Sequence, residues 1–531
     1  MPHICLLPAE TLLCIFATIY DHEDLTPISR TTLAALARTC RTFKEPALDI
    51  LWKHVYGFKP LISCLPEGVG INSMQGNFTL KRTPVIRECN ISGQYAQRIR
   101  HLTIESTDLD VMDDRVVQTL MFGPPPTLLL PNLRRLDWGD SRDCFIPLLR
   151  TLLRPTISSL SLDDWKPSFA KSGLLASLRG RCPSIRTFSC LYWGNSQGTS
   201  DVIRETVCGW RELVDLRTGI LNAQALFHVA SLSSLKSLHF RTCGLDDIQP
   251  NLTPTFTCQL NDVSIAAPTS SVLTRLLRNV HSIPCRSVLL CVEKTGAELP
   301  YDPLDIPDLI VSLSECFLPD LEQLTVEFDS QFEGFTIEGL TDPLSALDFD
   351  VFAPLLSFGR LTILDLSCFC ISAIDDDSLK IMAQSWPQLE EFYFGGGILW
   401  LVPPSLTFIG LVHLIQHCRR LHTIQMPFHA SSINSDSDFE LFSKIVINKN
   451  ISSIDVGVSP IADPFAVAFQ LHTLLPNLTN VLCLFYDTVN LPPLFQNFAD
   501  KWTTVNEFLE VLTTGAKMTE KIVPLEYSLL V

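Results

Sequence analysis

The feature that most constrains the fold of this chain is a short apolar phrase that recurs along most of its length. An aliphatic residue is followed three, and usually five, positions later by further apolar residues. The first copies start 24, 28, 28 and 22 residues apart. They begin at Leu133, Ile157, Ile185, Leu213 and Leu235, and later copies begin at looser intervals at Leu321, Leu361, Leu389, Leu421 and Leu478. A period of this length predicts an α/β solenoid in which every unit supplies one short strand and one helix.

The units resemble leucine-rich repeats, and several helical halves resemble the cysteine-containing subclass that often accompanies F-boxes. The phrase that closes such a helix stands at Trp386-Pro387-x-Leu389 and at Cys418-Arg419-Arg420-Leu421. A third copy is Cys182-Pro183-Ser184-Ile185. The resemblance implies a curved leucine-rich-repeat solenoid, although the copies are irregular and divergent.

The solenoid accounts for most of the chain, with weaker segments inside it. Around Leu260 and Val288 the period survives while the consensus fades, and irregular loops are expected near 300 and 335. A helix over Trp502–Thr514 is expected to cover the open end of the solenoid. The expected limits are 57–98 for a connector, 99–500 for the solenoid and 501–531 for the C-terminal cap.

Three apolar helical patterns precede the solenoid. Each pattern places apolar residues on one side of a short helix. The first contains Leu12, Ile15, Phe16 and Ile19, the second Leu33, Leu36, Ala37 and Cys40, and the third Leu48, Leu51, Trp52 and Val55. We expect Ser29, Thr31 or Thr32 to cap the second helix. The third helix is expected to begin near Pro46, because proline suits a first helical turn. Three helices of this size bury little surface alone, so the pattern favours a partner.

The same segment, residues 4–56, resembles an F-box. The resemblance rests on Leu7-Pro8-Ala9-Glu10-Thr11-Leu12, on Leu36 to Phe43 and on Phe43 to Trp52, the last being a familiar phrase in F-box proteins of mushroom-forming fungi. It implies a three-helix module that docks a Skp-type linker of a cullin-RING ligase. The residues that match positions in or beneath that interface are Leu7, Pro8, Leu12, Phe16, Leu36 and Trp52. An insertion-like run over 21–30 departs from the family pattern in the first connection.

The resemblance implies the function of a substrate-recognition adaptor in an SCF-type E3 ubiquitin ligase, acting in ubiquitin-dependent protein degradation. Three alternatives stay open. In the first, the helices close a small cap on the next domain; in the second, the chain is a repeat scaffold without ligase association; in the third, it is a secreted recognition protein with glycans and disulfides.

Composition excludes several other classes of function. With 40 Lys and Arg against 57 Asp and Glu, the formal net charge is −17, so we expect no binding to nucleic acid. The 18 cysteines show no paired framework spacing and no Cys-x-x-Cys, which predicts reduced thiols in the cytoplasm or nucleus. Residues 392–418 lack charged side chains, but glycines and prolines interrupt them. We expect a strand, a turn and a buried helix there, and no association with membranes.

The solenoid register predicts which side chains point away from the core. Leucine positions point inward, and the residues between them lie along the exposed strand face. Mixed charge with occasional aromatic residues is typical of a surface that recognises proteins, and also of any solvated sheet. The candidate substrate-binding residues are Arg135, Asp137, Asp215, Arg217, His239, Arg241, Glu327, Asp365, Glu391 and Tyr393.

No pattern in the sequence predicts catalysis. Gly-x-Ser-x-Gly is absent, and no Cys/His pair has the context of a nucleophile, so the chain is expected not to be an enzyme. We expect neither cofactor nor metal. The run Asp375-Asp376-Asp377 is expected to satisfy free N–H groups at a helix start rather than to bind an ion. The pair Gly68-Val69-Gly70 is expected to be a turn, since the third glycine of a dinucleotide-binding phrase is missing.

Overall fold

The structure is a computed structural model of the 531-residue chain. It describes residues 4–20, 27–66, 69–72, 78–82, 84–85, 88, 93–122, 129–192, 197–242, 253–293, 302–328, 340–398, 400–430, 447–457, 459–483 and 493–527. The chain divides into two compact units, residues 1–235 and 236–531, which are described separately. The predicted loops near 300 and 335 and the predicted turn residue Gly68 fall on or beside residues outside this description.

The first unit opens with a helical module. After a 3-10 turn at Ile4–Leu6, its helices are α1 (Ala9–Ile19), α2 (Pro27–Thr39) and α3 (Arg41–Leu51). The prediction that the third helix begins near Pro46 is wrong, because only Cys40 separates α2 from α3. The buried stripe of α3 starts at Phe43 and continues through Pro46, Ala47 and Ile50, so the helix has to begin before the proline.

A parallel sheet follows the module in the first unit. Its strands pair in the order β1-β4-β5-β6-β7-β8, and β2 and β3 form a separate antiparallel hairpin. The strands are β1 (His54–Tyr56), β2 (Gly70–Asn72), β3 (Phe78–Leu80), β4 (His101–Ile104), β5 (Arg135–Trp138), β6 (Ser159–Leu162), β7 (Thr187–Cys190) and β8 (Asp215–Ile220). The helices after α3 are α4 (Lys59–Ile62), α5 (Asp114–Phe122), α6 (Ile146–Leu152), α7 (Phe169–Arg181), α8 (Gln197–Val207) and α9 (Ala223–Ala230), with a 3-10 turn at Asp143–Phe145.

The second unit continues the alternation of strands and helices. All its described strands are parallel and pair in sequence order from β9 to β17. They are β9 (Ser237–Arg241), β10 (Leu260–Ala267), β11 (Cys285–Val292), β12 (Gln323–Phe328), β13 (Ile363–Leu366), β14 (Glu391–Phe394), β15 (Thr423–Gln425), β16 (Ser453–Asp455) and β17 (Asn480–Leu482). The helices are α10 (Ser270–Arg278), α11 (Ile306–Cys316), α12 (Phe349–Phe352), α13 (Asp376–Ser385), α14 (Phe408–His417), α15 (Pro464–Leu474) and α16 (Pro493–Tyr527), with 3-10 turns at Pro343–Ser345 and Ala353–Ser357.

The apolar phrase fixes where each strand begins. In most copies its first residue is buried and lies two positions before the strand, as Leu133 does before β5 and Leu389 before β14, whereas β10 begins at Leu260 itself. The repeated strand-and-helix unit predicted from the sequence is therefore confirmed in both units. The two copies with a faded consensus form β10 and β11, which span 8 residues each. The prediction overlooked β16, whose phrase begins at Ile451.

Side chains at helix starts explain why the chain turns into a helix where it does. Seven residues accept a backbone N–H from the first turn of the helix that follows. They are Ser168, Asn222, Thr269, Asp348, Asp375, Thr407 and Asp463. Asp376 joins two helices, since its carboxylate accepts the N–H groups of Thr407 and Gly410, both at 2.8 Å. Asp375 thus acts as the sequence predicted, whereas Asp376 satisfies N–H groups at the start of the next helix, α14.

The placement of the cysteines and of the uncharged run 392–418 also agrees with the sequence prediction of buried thiols and a buried helix. The 15 cysteines whose side chains the structure describes are free, and eight of them are buried among the strands and helices. The uncharged run 392–418 forms most of β14, a turn and α14, whose residues are largely buried. Within the described residues, no helix combines the length and the apolar character needed to span a membrane.

Helix α16 covers the edge of β17, the last strand of the second unit. Strand β17 is the final strand in the order, so one of its edges has no neighbouring strand among the described residues. The side-chain amide of Asn506 replaces that strand: its Oδ1 accepts the Val481 N–H at 2.7 Å, and its Nδ2 donates to the Val481 carbonyl at 2.9 Å. Trp502, fully buried, donates its indole N–H to the Ser459 carbonyl at 2.9 Å and anchors the helix.

We predict that Asn506→Leu destabilises the second unit, because it leaves the N–H and carbonyl of buried Val481 without partners. The expected loss is about 1–3 kcal/mol of unfolding free energy, measured by chemical denaturation. The neighbouring exposed residue supplies the control, and Glu507→Ala is expected to change stability by less than about 0.5 kcal/mol. Equal stability of the two variants would contradict the role given to Asn506.

Candidate functional site

The helical module has a small core of its own. Seven buried residues from its three helices pack together, and Phe16 meets the ring of Phe43 edge to face at a centroid distance of 5.4 Å. The core consists of Leu12, Phe16, Tyr20, Leu33, Phe43, Ala47 and Ile50. Leu12 and Phe16, which were predicted to lie in or beneath a docking interface, therefore lie beneath the surface of the module.

An apolar surface remains outside that core. Leu6 is 77% exposed, Ile4 47% and Ile15 37%, although all three are aliphatic. Half-buried Leu7, Leu13, Ile19 and Leu36 add to the apolar residues at the module surface. Eight of the eleven residues of α1 are apolar, so this short helix has more apolar residues than its own module can bury. A helix that is apolar on several sides needs other protein residues to pack against each of those sides.

The six predicted docking residues are thus divided between two layers. Pro8 is exposed and occupies the N-cap position of α1 without a side-chain hydrogen bond, while Leu7, Leu36 and Trp52 are half-buried. Sequence reasoning missed Ile4 and Leu6, which immediately precede the quoted Leu7-Pro8 phrase. It placed Ile15 on the same apolar side of α1 as Leu12 and Phe16, and the structure exposes Ile15 while it buries the other two.

We predict that Leu12→Ala and Ile15→Ala have different effects on the module. Leu12 is fully buried, so its truncation is expected to cost about 2–5 kcal/mol, while truncation of exposed Ile15 is expected to change stability by about 0.5 kcal/mol or less. Hydrogen exchange of the amides in α1 and α3 reports on the module alone. Similar protection in the two variants would show that Leu12 does not belong to its core.

The module is held firmly against the first strands of its unit. Only Trp52 and Lys53 separate α3 from β1, and the Lys53 carbonyl accepts the N–H groups of Arg100 and His101, both at 2.9 Å. Trp52 stacks on Tyr95 at a ring-centroid distance of 4.7 Å. Arg98 forms ion pairs with Glu45 and Asp49 of α3. Trp52 therefore has a contact partner within its own chain.

We predict that Trp52→Ala loosens the junction between the module and the sheet, because it removes the ring that stacks on Tyr95. Backbone amides of β1 and β4 are expected to exchange faster by hydrogen-exchange mass spectrometry, since local opening governs their protection. Trp52→Phe retains a stacking ring and is expected to keep most of the protection. Unchanged exchange in the alanine variant would contradict this role.

All ten predicted substrate-binding residues lie on strands, at positions that alternate with buried ones. The burial patterns of their strands confirm this alternation, with inward aliphatic residues and partly exposed polar ones. In the first unit they are Arg135, Asp137, Asp215 and Arg217, and in the second His239, Arg241, Glu327, Asp365, Glu391 and Tyr393. Their role in binding a substrate stays a prediction.

In the first unit, the predicted residue Asp137 pairs with Arg135 and with His101 of the neighbouring strand. His101 Nε2 lies 2.5 Å from Asp137 Oδ2, and Arg135 Nε lies 3.2 Å from the same carboxylate. Burial raises the pKa of Asp137, but the hydrogen bonds from His101 and Arg135 outweigh burial and hold that pKa below its usual value. The ring of His54, a residue that sequence reasoning missed, stacks on His101 at a centroid distance of 3.7 Å. No sequence signal marked His54, because the 3-residue strand β1 that places it lay within the predicted helical module.

One polar group in the second unit contains the residue types of a hydrolase site. His239 Nε2 lies 3.0 Å from Ser237 Oγ and 2.7 Å from Asp262 Oδ2. A catalytic Ser-His-Asp triad requires the serine and the aspartate to contact different ring nitrogens. Here both contacts involve Nε2, so the group does not have the geometry of a triad. Across the described ranges, no three His, Cys, Asp or Glu side chains come together as ligands for a metal ion.

Comparisons with known proteins bear on the helical module. A family model described as F-box-like matches residues 4–57. The match covers α1 to α3 and β1, about a tenth of the chain. No curated protein matches the chain. It is similar to a chain in a solved structure described as the complex of Rad7 and Elc1 in yeast, with 16% identity over 66% of this chain and 82% of that chain. The TM-score of 0.28 is too low for this similarity to bear on fold or function. The module is therefore F-box-like.

Proposed function

We propose that the protein is a substrate-recognition adaptor of an SCF-type cullin-RING E3 ubiquitin ligase. In this role the F-box-like module binds a Skp-type linker, and the strand faces of the repeats bind a substrate protein. The protein would act in the cytoplasm, the nucleus or both, as its reduced cysteines favour.

The observation that carries the proposal is the surface of the module. The segment that matches the F-box-like family model has a closed core, yet it leaves Ile4, Leu6 and Ile15 exposed. Exposed aliphatic side chains grouped in one small module are typical of a protein-protein contact. A Skp-type linker is the partner that the family resemblance implies for this surface.

The mechanism we infer is proximity. An adaptor that holds a substrate near a charged conjugating enzyme makes an otherwise bimolecular transfer effectively intramolecular. The adaptor itself then needs no nucleophile, no cofactor and no metal. The Nε2-only contacts of His239 with Ser237 and Asp262 support the proposal that the chain is not an enzyme.

We predict that Ile15→Asp weakens binding to a Skp-type linker, because it places a charge in the exposed apolar surface of α1. Loss of an anchor residue commonly costs about 2 kcal/mol or more, which corresponds to about a thirtyfold weaker Kd. Isothermal titration of the full-length chain with the purified linker measures this change.

A matched control distinguishes a local effect from a general one. Val111 has nearly the same exposure as Ile15, 36% against 37%, and lies outside the module. Val111→Asp is expected to leave the linker Kd unchanged. If the wild-type chain shows no binding to Skp-type linkers, the adaptor proposal fails, and the repeat scaffold without ligase association takes its place.

A further inference from the structure

The formal charge of the chain is concentrated in its second unit. Residues 1–235 contain 25 Lys and Arg against 22 Asp and Glu, a net charge of +3. Residues 236–531 contain 15 Lys and Arg against 35 Asp and Glu, a net charge of −20. The second unit alone therefore accounts for the acidic character of the protein, and its field attracts cationic partners over a distance that salt limits.

Carboxylates on or beside the early strands have basic partners within the chain. Asp137 pairs with His101 and Arg135 in the first unit. Asp262 lies 2.7 Å from His239, and Glu293 forms an ion pair with Arg241, in the second unit. Each of these carboxylates has a basic side chain within 4.0 Å, and Glu293 directly follows β11. Such a surface presents little unbalanced charge to a partner.

On the strand face from β12 to β16, three carboxylates lack such basic partners among the described residues. These five strands contain no Lys, Arg or His. Asp365 on β13, Glu391 on β14 and Asp455 on β16 have no basic side chain within 4.0 Å among the residues that the structure describes. Asp365 accepts the Ser367 N–H, and Asp455 accepts hydrogen bonds from Gln425 and Gly457. These neutral donors do not neutralise the carboxylates, although burial raises the pKa of Asp455.

An aromatic side chain lies between these carboxylates. Tyr393 pairs in register with Asp365 and donates its hydroxyl to Glu391 Oε2 at 2.8 Å. Burial, the hydrogen bond to Glu391 and the charge of Asp365 raise the pKa of Tyr393 to about 12. A partly exposed aromatic ring beside carboxylates suits a guanidinium group, which can stack on the ring and form an ion pair at the same time.

The arrangement fits a polypeptide better than a single metal ion. Neighbouring strands lie about 4.8 Å apart, so β13 and β16 are about 14 Å apart across the sheet. An ion held by protein oxygens requires ligands at about 2.0–2.6 Å, which carboxylates on such distant strands cannot supply together. A chain with several spaced cationic side chains can meet all of them.

We propose that the strand face of β12 to β16 is a docking surface for a protein segment rich in arginine and lysine. Asp365 and Glu391 form the ion pairs, Tyr393 receives a guanidinium group, and Asp455 adds negative charge from below the surface. Calling this partner the ubiquitination substrate rests on the proposed adaptor function. The binding itself does not, and it is measured on the full-length chain without any linker.

The test uses a fluorescent peptide in which arginine and lysine alternate with serine and glycine. Its binding is followed by fluorescence anisotropy at two salt concentrations, beside a peptide with glutamine at every basic position. We expect the basic peptide to bind, salt to weaken it, and the glutamine peptide not to bind. No binding of the basic peptide, or equal binding of both peptides, would overturn the proposal even if the linker binds normally.

Variants locate the surface. The double variant Asp365→Asn with Glu391→Gln is expected to weaken peptide binding about tenfold, since each removes one ion pair across the interface. Glu315→Gln with Asp350→Asn removes the same charge from exposed positions on α11 and α12, and is expected to change the Kd by less than about twofold. Equal effects of the two double variants would show a general charge effect and refute a docking surface. Competition by Mg²⁺ or spermine at the same charge concentration as the peptide would refute it as well.

Discussion

Main-chain pairing between successive parallel strands is the interaction on which the rest of each unit depends. Every strand is short, often three or four residues, and none could persist without a neighbour. The register of this pairing sends aliphatic side chains into the core and leaves the alternate side chains on one continuous face. The candidate binding surface is therefore a consequence of the same hydrogen bonds that hold the core together.

Much of the fold can be predicted from the sequence, because the recurring apolar phrase indicates where each strand lies. Even the faded copies at β10 and β11 form full strands, since their inward positions, such as Val263 and Val288, stay apolar. Strand β16 was overlooked although Ile451 opens a phrase of the same form. The start of α3 was misplaced because Pro46 looked like a first-turn residue, whereas tertiary burial keeps it inside a helix.

The candidate sites were less predictable, for two physical reasons. Helix α1 is apolar on most sides, so its sequence cannot tell which residues, such as Leu12 or Ile15, the module buries. Charge balance on the strand face depends on which residues the pairing brings together. His101 and Asp137 are distant in sequence and become neighbours through the register of β4 and β5, while Asp365 has no basic side chain within 4.0 Å in the part of the chain that the structure describes.

The junction after α3 also limits how such a chain can evolve. Only two residues separate α3 from β1, and Arg98 holds α3 through ion pairs with Glu45 and Asp49. The connection between the module and the sheet is therefore short and fixed. A related protein that binds a larger or smaller substrate could not adapt by lengthening this connection. It would have to insert, delete or reshape whole strand-and-helix units further along the chain.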